Sequence, residues 1–124
     1  MSYNIDKWKT KKLGGLSIPL EAFYRHERTD WHPKAIINSP TSNVVMLECG
    51  CGQRIVGALE NGFLLVHEFD MAGEGSGTFY NWILEPALKE SKGTLEAVLV
   101  WEGGDSINRL TVKDGKVTSA EIDL

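Results

Sequence analysis

The chain has 124 residues, of which 42% are hydrophobic and 24% charged, a composition typical of a globular domain that builds its own core. It excludes a helical membrane protein, because no apolar run approaches the ~20 residues that a membrane-spanning helix needs. We therefore predict a single domain over residues 1–124. The first 20 residues carry four lysines without the apolar segment of a secretory signal, and the chain has two cysteines, so we expect a cytoplasmic protein.

Charge is distributed unevenly along the chain. The net charge is −4, yet residues 1–34 carry seven Lys and Arg against four Asp and Glu, and residues 35–124 carry six against thirteen. An acidic body of this kind repels phosphate backbones and attracts basic proteins. The composition thus predicts a basic protein as partner and argues against nucleic acid and membranes.

The N-terminal segment predicts little regular structure. Residues 1–17 are polar and rich in lysine, and Gly14-Gly15 interrupts them. We predict a loosely ordered N-terminal arm here or, alternatively, a strand laid across a sheet edge. Residues 18–32 are predicted to form a short helix, because three apolar side chains follow the spacing of one helix face. These side chains are Leu20, Phe23 and Tyr24.

The middle of the chain predicts a β-meander over about residues 44–70. The best turn signal between its strands is Asn61-Gly62, because Asn-Gly accepts the positive φ angles of a two-residue hairpin turn. A helix is predicted next, over about residues 78–91, although Pro86 favours a later start near Glu85.

The C-terminal segment predicts a second meander, over about residues 95–123. Alternating β-branched runs are separated by Gly103-Gly104-Asp105 and by Asp114-Gly115. The second turn allows a two- or a three-residue loop, and these give Leu110 and Val112 different partners. The elements together predict an α+β domain with an N-terminal short helix and two antiparallel meanders separated by a helix, arranged as one or two sheets.

Acidic residues at strand ends and in loops form the predicted partner-binding surface. A rim of carboxylates with an aromatic side chain nearby suits a basic protein partner. The residues of this hypothesis are Glu68, Asp70, Glu74, Glu102, Asp105 and Trp31.

The densest titratable cluster consists of His67, Glu68 and Asp70. Two neighbouring carboxylates can hold a divalent cation or separate in pKa for acid–base work. On a regular strand His67 would share a face with Phe63, Leu65 and Phe69, while Glu68 and Asp70 would share the other face with Leu64 and Val66.

Two further patterns match known sites only weakly. Cys49 and Cys51, with His67 on the neighbouring hairpin, are weak zinc candidates, because structural zinc commonly takes four ligands with cysteines two to four residues apart. The segment 73–77 lies where phosphate-binding loops lie, but no lysine follows it and carboxylates surround it. We expect no cofactor, no metal and no catalytic residues.

These observations favour a small, acidic, non-catalytic protein-binding domain. Its most concrete form is an inhibitor or immunity-type protein that neutralises a basic enzyme such as a nuclease toxin. Two alternatives stay open. One is a small ligand- or metal-binding domain or enzyme that uses His67, Glu68 and Asp70, and the other is a structural homo-oligomer, such as a homodimer, joined through an edge strand.

Overall fold

The computed structural model describes residues 4–37, 42–49, 52–103 and 106–122 of the chain. The strands are β1 Ile5–Pro19, β2 Lys34–Ile37, β3 Val44–Glu48, β4 Arg54–Glu60, β5 Phe63–Asp70, β6 Lys92–Trp101, β7 Ile107–Lys113 and β8 Lys116–Glu121. They form one eight-stranded antiparallel sheet with the order β2-β3-β4-β5-β1-β6-β7-β8. Two 3₁₀ turns, Leu20–Tyr24 and Thr29–Trp31, follow β1.

The predicted α+β arrangement of two meanders separated by a helix is wrong. β1 lies between the meanders and pairs with both, through Ser17–Pro19 to β5 and through Ile5–Gly14 to β6. Residues 5–17 are therefore part of a central strand and not a loosely ordered arm. Lysines alternate here with Trp8 and Thr10, a pattern that indicates a strand. Successive side chains of a strand lie on opposite faces, so the lysines lie on one face and the packed side chains on the other.

The predicted helix over residues 18–32 is also wrong. Pro19 still belongs to β1, where it lies opposite Phe63 of β5. The apolar spacing of the following residues is used instead by the 3₁₀ turn Leu20–Tyr24, in which Phe23 is completely buried.

The strands of both predicted meanders are confirmed, and so are the turns Asn61-Gly62 and Asp114-Gly115, whereas the predicted turn at Gly103-Gly104-Asp105 lies partly outside the described residues. Asn61 and Gly62 have φ angles of 52° and 81°, and Asp114 and Gly115 have 45° and 84°, as two-residue hairpin turns require. The two-residue solution at the second turn places Val112 opposite Val117.

The helical segment between β5 and β6 spans residues 76–88 and packs on the sheet. It consists of α-helical turns Ser76–Phe79 and Glu85–Leu88 with a π-helical turn Tyr80–Leu84 between them. Pro86 is the second residue of the last turn, which directly follows the π-helical turn, a departure from α-helical hydrogen bonding at the place where a proline inside a helix removes a donor. Among the described residues, no helix has the length and apolar character needed to cross a membrane.

The two faces of the sheet differ. On one face, alternate side chains of β1 and of β3 to β7 form a single buried core with residues of the helical segments. The opposite face, which we call the open face, carries the other half of the strand side chains. These are exposed or half-buried for the most part, and the helical segments of the described residues pack on the core side.

Candidate functional site

An apolar patch lies on the open face of β3, β4 and β5. Alternation along these strands produces it, because buried core residues such as Leu47 and Leu64 alternate with side chains that point outwards. Phe63 and Leu65 are 38% and 40% exposed, which is high for large apolar side chains. The patch consists of Val44, Met46, Val56, Phe63 and Leu65.

A β-bulge at His67 decides which side chains border the patch. Val66 pairs with Gly57 but Glu68 pairs with Val56, so His67 is an extra residue in β5. The predicted grouping of side chains on this strand is therefore wrong: Phe69 is buried in the core, whereas Phe63, Leu65 and His67 are exposed. Beyond the bulge, Glu68 shares the open face with Val56.

Carboxylates form an acidic margin around the patch. Glu60 lies opposite Phe63, Glu68 opposite Val56, and Asp70 opposite Arg54. Of the predicted partner-binding residues, Glu68 and Asp70 thus lie beside apolar side chains that the sequence hypothesis did not include. The alternation of Phe63 and Leu65 with Leu64 and Val66 was the signal for them.

A cleft of about 470 Å³ adjoins the patch at Phe63. The other residues that line it are Pro19, Leu20, Glu21, Asn61 and Gly62. The amide of Leu20 donates to the carbonyl of Gly62 at 2.9 Å, which holds the 3₁₀ turn against the β4–β5 hairpin. The cleft therefore combines apolar walls with the Glu21 carboxylate.

Glu74 and Glu102 meet at a second cleft, of about 580 Å³, at the end of the sheet where β1 begins. Asp6 and Asn4 line the same cleft, and the Asn4 side-chain amide donates to Glu102 at 3.0 Å. Sequence reasoning missed Asp6, because only the pairing of β1 with β6 brings it near Glu102. Asp105 lies outside the described residues.

The loop before the helical segment ties down the start of β1. The amide of Gly73 donates to the Ile5 carbonyl at 3.0 Å, and the amide of Gly75 donates to Asn4 at 3.0 Å. The buried Ser76 hydroxyl accepts from the Ile5 amide at 2.6 Å and donates to the Gly73 carbonyl at 2.6 Å. These groups serve the protein's own backbone, so the loop is a structural connection.

Trp31 lies on the helical side of the molecule, away from the open face. The Arg28 guanidinium is 5.6 Å from the ring centre of Trp31 and 5.7 Å from that of Trp82, and it also pairs with Asp30 at 3.2 Å. Trp82 projects from the π-helical turn and is 49% exposed. The Arg28 cation and the His26 ring, whose centre is 5.2 Å from that of Trp82, cover only part of this side chain.

The weak zinc hypothesis does not fit the fold. Cys49 is buried in the core, whereas His67 is exposed at the bulge of β5, and Cys51 lies outside the described residues. Within the described parts of the chain, no three His, Cys, Asp or Glu side chains lie close enough together to hold a metal ion.

Two tyrosines have hydroxyls that stay protonated at neutral pH. Burial raises the pKa of Tyr80 well above its usual value, and the nearby Glu85 carboxylate raises it further. Burial also raises the pKa of Tyr24, whose hydroxyl donates to the Pro33 carbonyl at 2.8 Å. Both hydroxyls are therefore donors and packing groups at pH 7.

The predicted site residues thus occupy three separate places. Glu68 and Asp70 border the apolar patch, Glu74 and Glu102 line the cleft at the end of the sheet, and Trp31 lies on the helical side. No known protein family, curated protein or solved structure matches the chain.

Proposed function

We propose that the chain is a non-catalytic domain that binds a cationic protein through the apolar patch and its acidic margin. The observation that carries this proposal is the exposure of Phe63 and Leu65, side by side, on a sheet face that the described helical segments leave uncovered. Exposed contiguous apolar surface on a folded domain marks an interaction site more often than chance.

The negative charge of the acidic margin indicates a partner with a positively charged surface. Interfaces commonly have an apolar centre and a polar rim, and complementary rim charges accelerate association. Glu60, Glu68 and Asp70 give this rim a negative sign, with Arg54 as the cation nearest in register. A partner with Lys and Arg side chains around an apolar centre complements it.

The cleft beside Phe63 suits an anchoring side chain of that partner. A lysine or arginine buries its aliphatic stem along apolar walls and keeps its charged head near a carboxylate. Leu20 and Phe63 supply such walls, and Glu21 supplies a carboxylate that also accepts from the Arg25 guanidinium at 2.6 Å. Arginines in pockets of this type contribute strongly to binding between proteins.

An inhibitor or immunity-type protein that neutralises a basic enzyme, such as a nuclease toxin, is the most concrete form of this proposal. Acidic margins favour fast capture of a basic target, which an inhibitor needs. We place this activity in the cytoplasm, because the two cysteines of the chain fit a reducing compartment.

The alternative functions have less support. His67, Glu68 and Asp70 lie on an exposed strand surface, and neither of the two clefts described above is lined by them. A homo-oligomer joined through β2 or β8, the two edges of the sheet, stays a prediction that sedimentation equilibrium would test.

Site-specific photo-crosslinking in the native cell tests the proposal. A photoreactive phenylalanine analogue at Leu65 should give one discrete adduct with a basic protein, and Glu68→Lys in the same chain should reduce its yield. The matched control carries the analogue at Asn81, an exposed residue on the helical side. Equal adducts from both positions, or none from Leu65, would contradict the proposal.

A further inference from the structure

The other half of the open face, on β1, β6, β7 and β8, is strongly basic. Strand register assigns the positions: Lys9 and Arg109 lie on either side of Val98, and Lys113 lies opposite Thr94. We call this surface the basic face. Its cations are Lys7, Lys9, Lys11, Lys12, Lys92, Arg109, Lys113 and Lys116.

A bulge in β1 adds a lysine to the row. The register shifts between Thr10 and Lys12, so Lys11 is an extra residue in the strand. Its ammonium group lies near that of Lys9, and the contact with Lys9 lowers the pKa of Lys11. The bulge thus concentrates positive charge that a regular strand would divide between the two faces.

The charge of the basic face is not neutralised by its neighbours. Glu96, the cross-strand partner of Lys12, is the carboxylate among its strand positions, and Asp6 and Asp114 lie at its margin. Eight cations and one carboxylate give a formal charge of +7, so the rest of the chain carries −11 of the total of −4. Within the described residues, no carboxylate oxygen lies within 4.0 Å of any of the eight.

The arrangement also includes an unfavourable contact. Lys113 and Lys116 are direct cross-strand partners in the β7–β8 hairpin. Like charges opposite each other destabilise a sheet, and an anion bound between them would remove the repulsion. Binding of an anion at the basic face would therefore stabilise the protein.

The cations of β1 and of β7 with β8 form two rows on either side of a trough along β6, and the trough itself holds one carboxylate, Glu96, and one lysine, Lys92. One row follows β1 and the other follows β7 with Lys116 of β8, so β6 lies between them with Val98 and Val100. Neighbouring strands are about 4.8 Å apart, so the rows are separated by roughly 10 Å. Lys7 and Lys9 are two residues apart on one strand, which corresponds to roughly 6.6 Å.

We propose that the basic face binds an extended acidic segment of a partner protein. Same-side side chains of an extended chain repeat at the same interval as Lys7 and Lys9, so a run of Glu or Asp in the trough reaches both rows. The half-buried Val98 and Val100 provide an apolar floor for the segment's backbone and stems.

Two other polyanions fit less well. The strand positions of the basic face contain no aromatic, Asn or Gln side chain for stacking on bases or reading them. A duplex or a membrane also extends beyond the face and meets the acidic remainder of the chain, whereas a short peptide does not. The proposal does not rest on the proposed function, because it concerns a different half of the open face.

Fluorescence anisotropy with a labelled peptide of about ten glutamates, long enough to span the face in extended form, tests the inference. The double variant Lys9→Glu/Arg109→Glu should weaken binding at least about tenfold, because it reverses one charge in each row. The single variants Lys9→Glu and Lys34→Glu, which change the net charge by the same amount, form the matched pair: Lys34 is an exposed lysine of the open face on β2, and its reversal should change affinity less than about twofold. Circular dichroism confirms that each variant is folded.

Competitors distinguish the classes of polyanion. A short DNA duplex and vesicles containing phosphatidylserine are titrated at the same ionic strength as the peptide. If the duplex or the vesicles bind more tightly than the peptide, and the double variant loses that binding, the ligand of the basic face is nucleic acid or membrane and not an acidic segment. Absence of peptide binding, or equal loss with Lys34→Glu, would overturn the inference.

Discussion

Gly93 allows β1 and β6 to approach each other where β1 changes partners. Its φ angle is 87°, and a Cβ atom there would lie 2.4 Å from the Gly15 carbonyl oxygen and 2.6 Å from that of Gly14. Both obstacles are backbone atoms, which cannot move without displacing the strand. Gly62 also has a positive φ, of 81°, but a Cβ atom at Gly62 would have no neighbour within 4 Å. An alanine at Gly62 would therefore cause backbone strain alone, whereas an alanine at Gly93 would cause strain and a steric clash.

Gly93→Ala should therefore destabilise the protein far more than Gly62→Ala. Gly62→Ala suffers only the backbone strain of a positive φ, which lowers the free energy of unfolding by roughly 1–2 kcal/mol. In Gly93→Ala the collision adds to this strain, so the free energy of unfolding should fall by about 3 kcal/mol or more. Urea denaturation of both variants measures the difference. Equal losses would mean that the approach of the strands at Gly93 is not tight.

Ser76 anchors the first residues of β1. Its hydroxyl is buried and accepts from the Ile5 amide at 2.6 Å, so Ser76→Ala leaves that amide without this acceptor. A buried donor without an acceptor costs about 1–3 kcal/mol. We expect Ser76→Ala to lower the free energy of unfolding by that amount and to accelerate hydrogen exchange at the Ile5 amide. Ser119→Ala on the exposed β8 is the control, and unchanged exchange at Ile5 would contradict the role of Ser76.

At the scale of elements, the β5 bulge shows where sequence reasoning stops. Tight turns are local chemistry, so Asn61-Gly62 and Asp114-Gly115 were predicted correctly, and so were the strands beside them. An extra residue in a strand has no such local signature. The prediction that Phe69 shares a face with Phe63 and Leu65 was therefore wrong, because the side chains after His67 change face relative to those before it.

Phe63 and Phe69 provide a direct test of the bulge. They are six residues apart on β5 and would share a face on a regular strand, yet Phe69 is 6% exposed and packs at 5.4 Å against the Trp8 ring. Phe69→Ala should lower the free energy of unfolding by about 3–5 kcal/mol, as at other buried aromatic residues, and Phe63→Ala should lower it much less. Similar losses in thermal or urea denaturation would indicate a strand without the bulge.

β1 was missed for a different reason. Its lysines suggested a solvated arm, although they alternate with Trp8, Thr10 and Leu13, which face the core. A strand in the middle of a sheet can carry lysines when one face of that sheet is open. Whether a face is open depends on the packing of the whole chain, so neither the position of β1 nor the basic face follows from local pattern.

At the scale of the whole molecule, charge is segregated. The net charge of −4 and the pI of about 5.3 describe an acidic protein, but the basic face carries +7 and the remainder −11. Exposed charges interact over roughly 10 Å at 0.1 M salt. A charged surface that touches the protein therefore responds to the side of the molecule that faces it and not to the net charge.

Cation-exchange chromatography at pH 7 and low salt tests this segregation without any biological partner. We expect the protein to be retained on a sulfonate resin although its net charge is negative, because the basic face can turn towards the resin. Lys9→Glu should elute at clearly lower salt than Lys34→Glu, although both substitutions change the net charge by the same amount. Identical elution, or flow-through of the unaltered protein, would mean that the lysines of β1 do not act as one basic face.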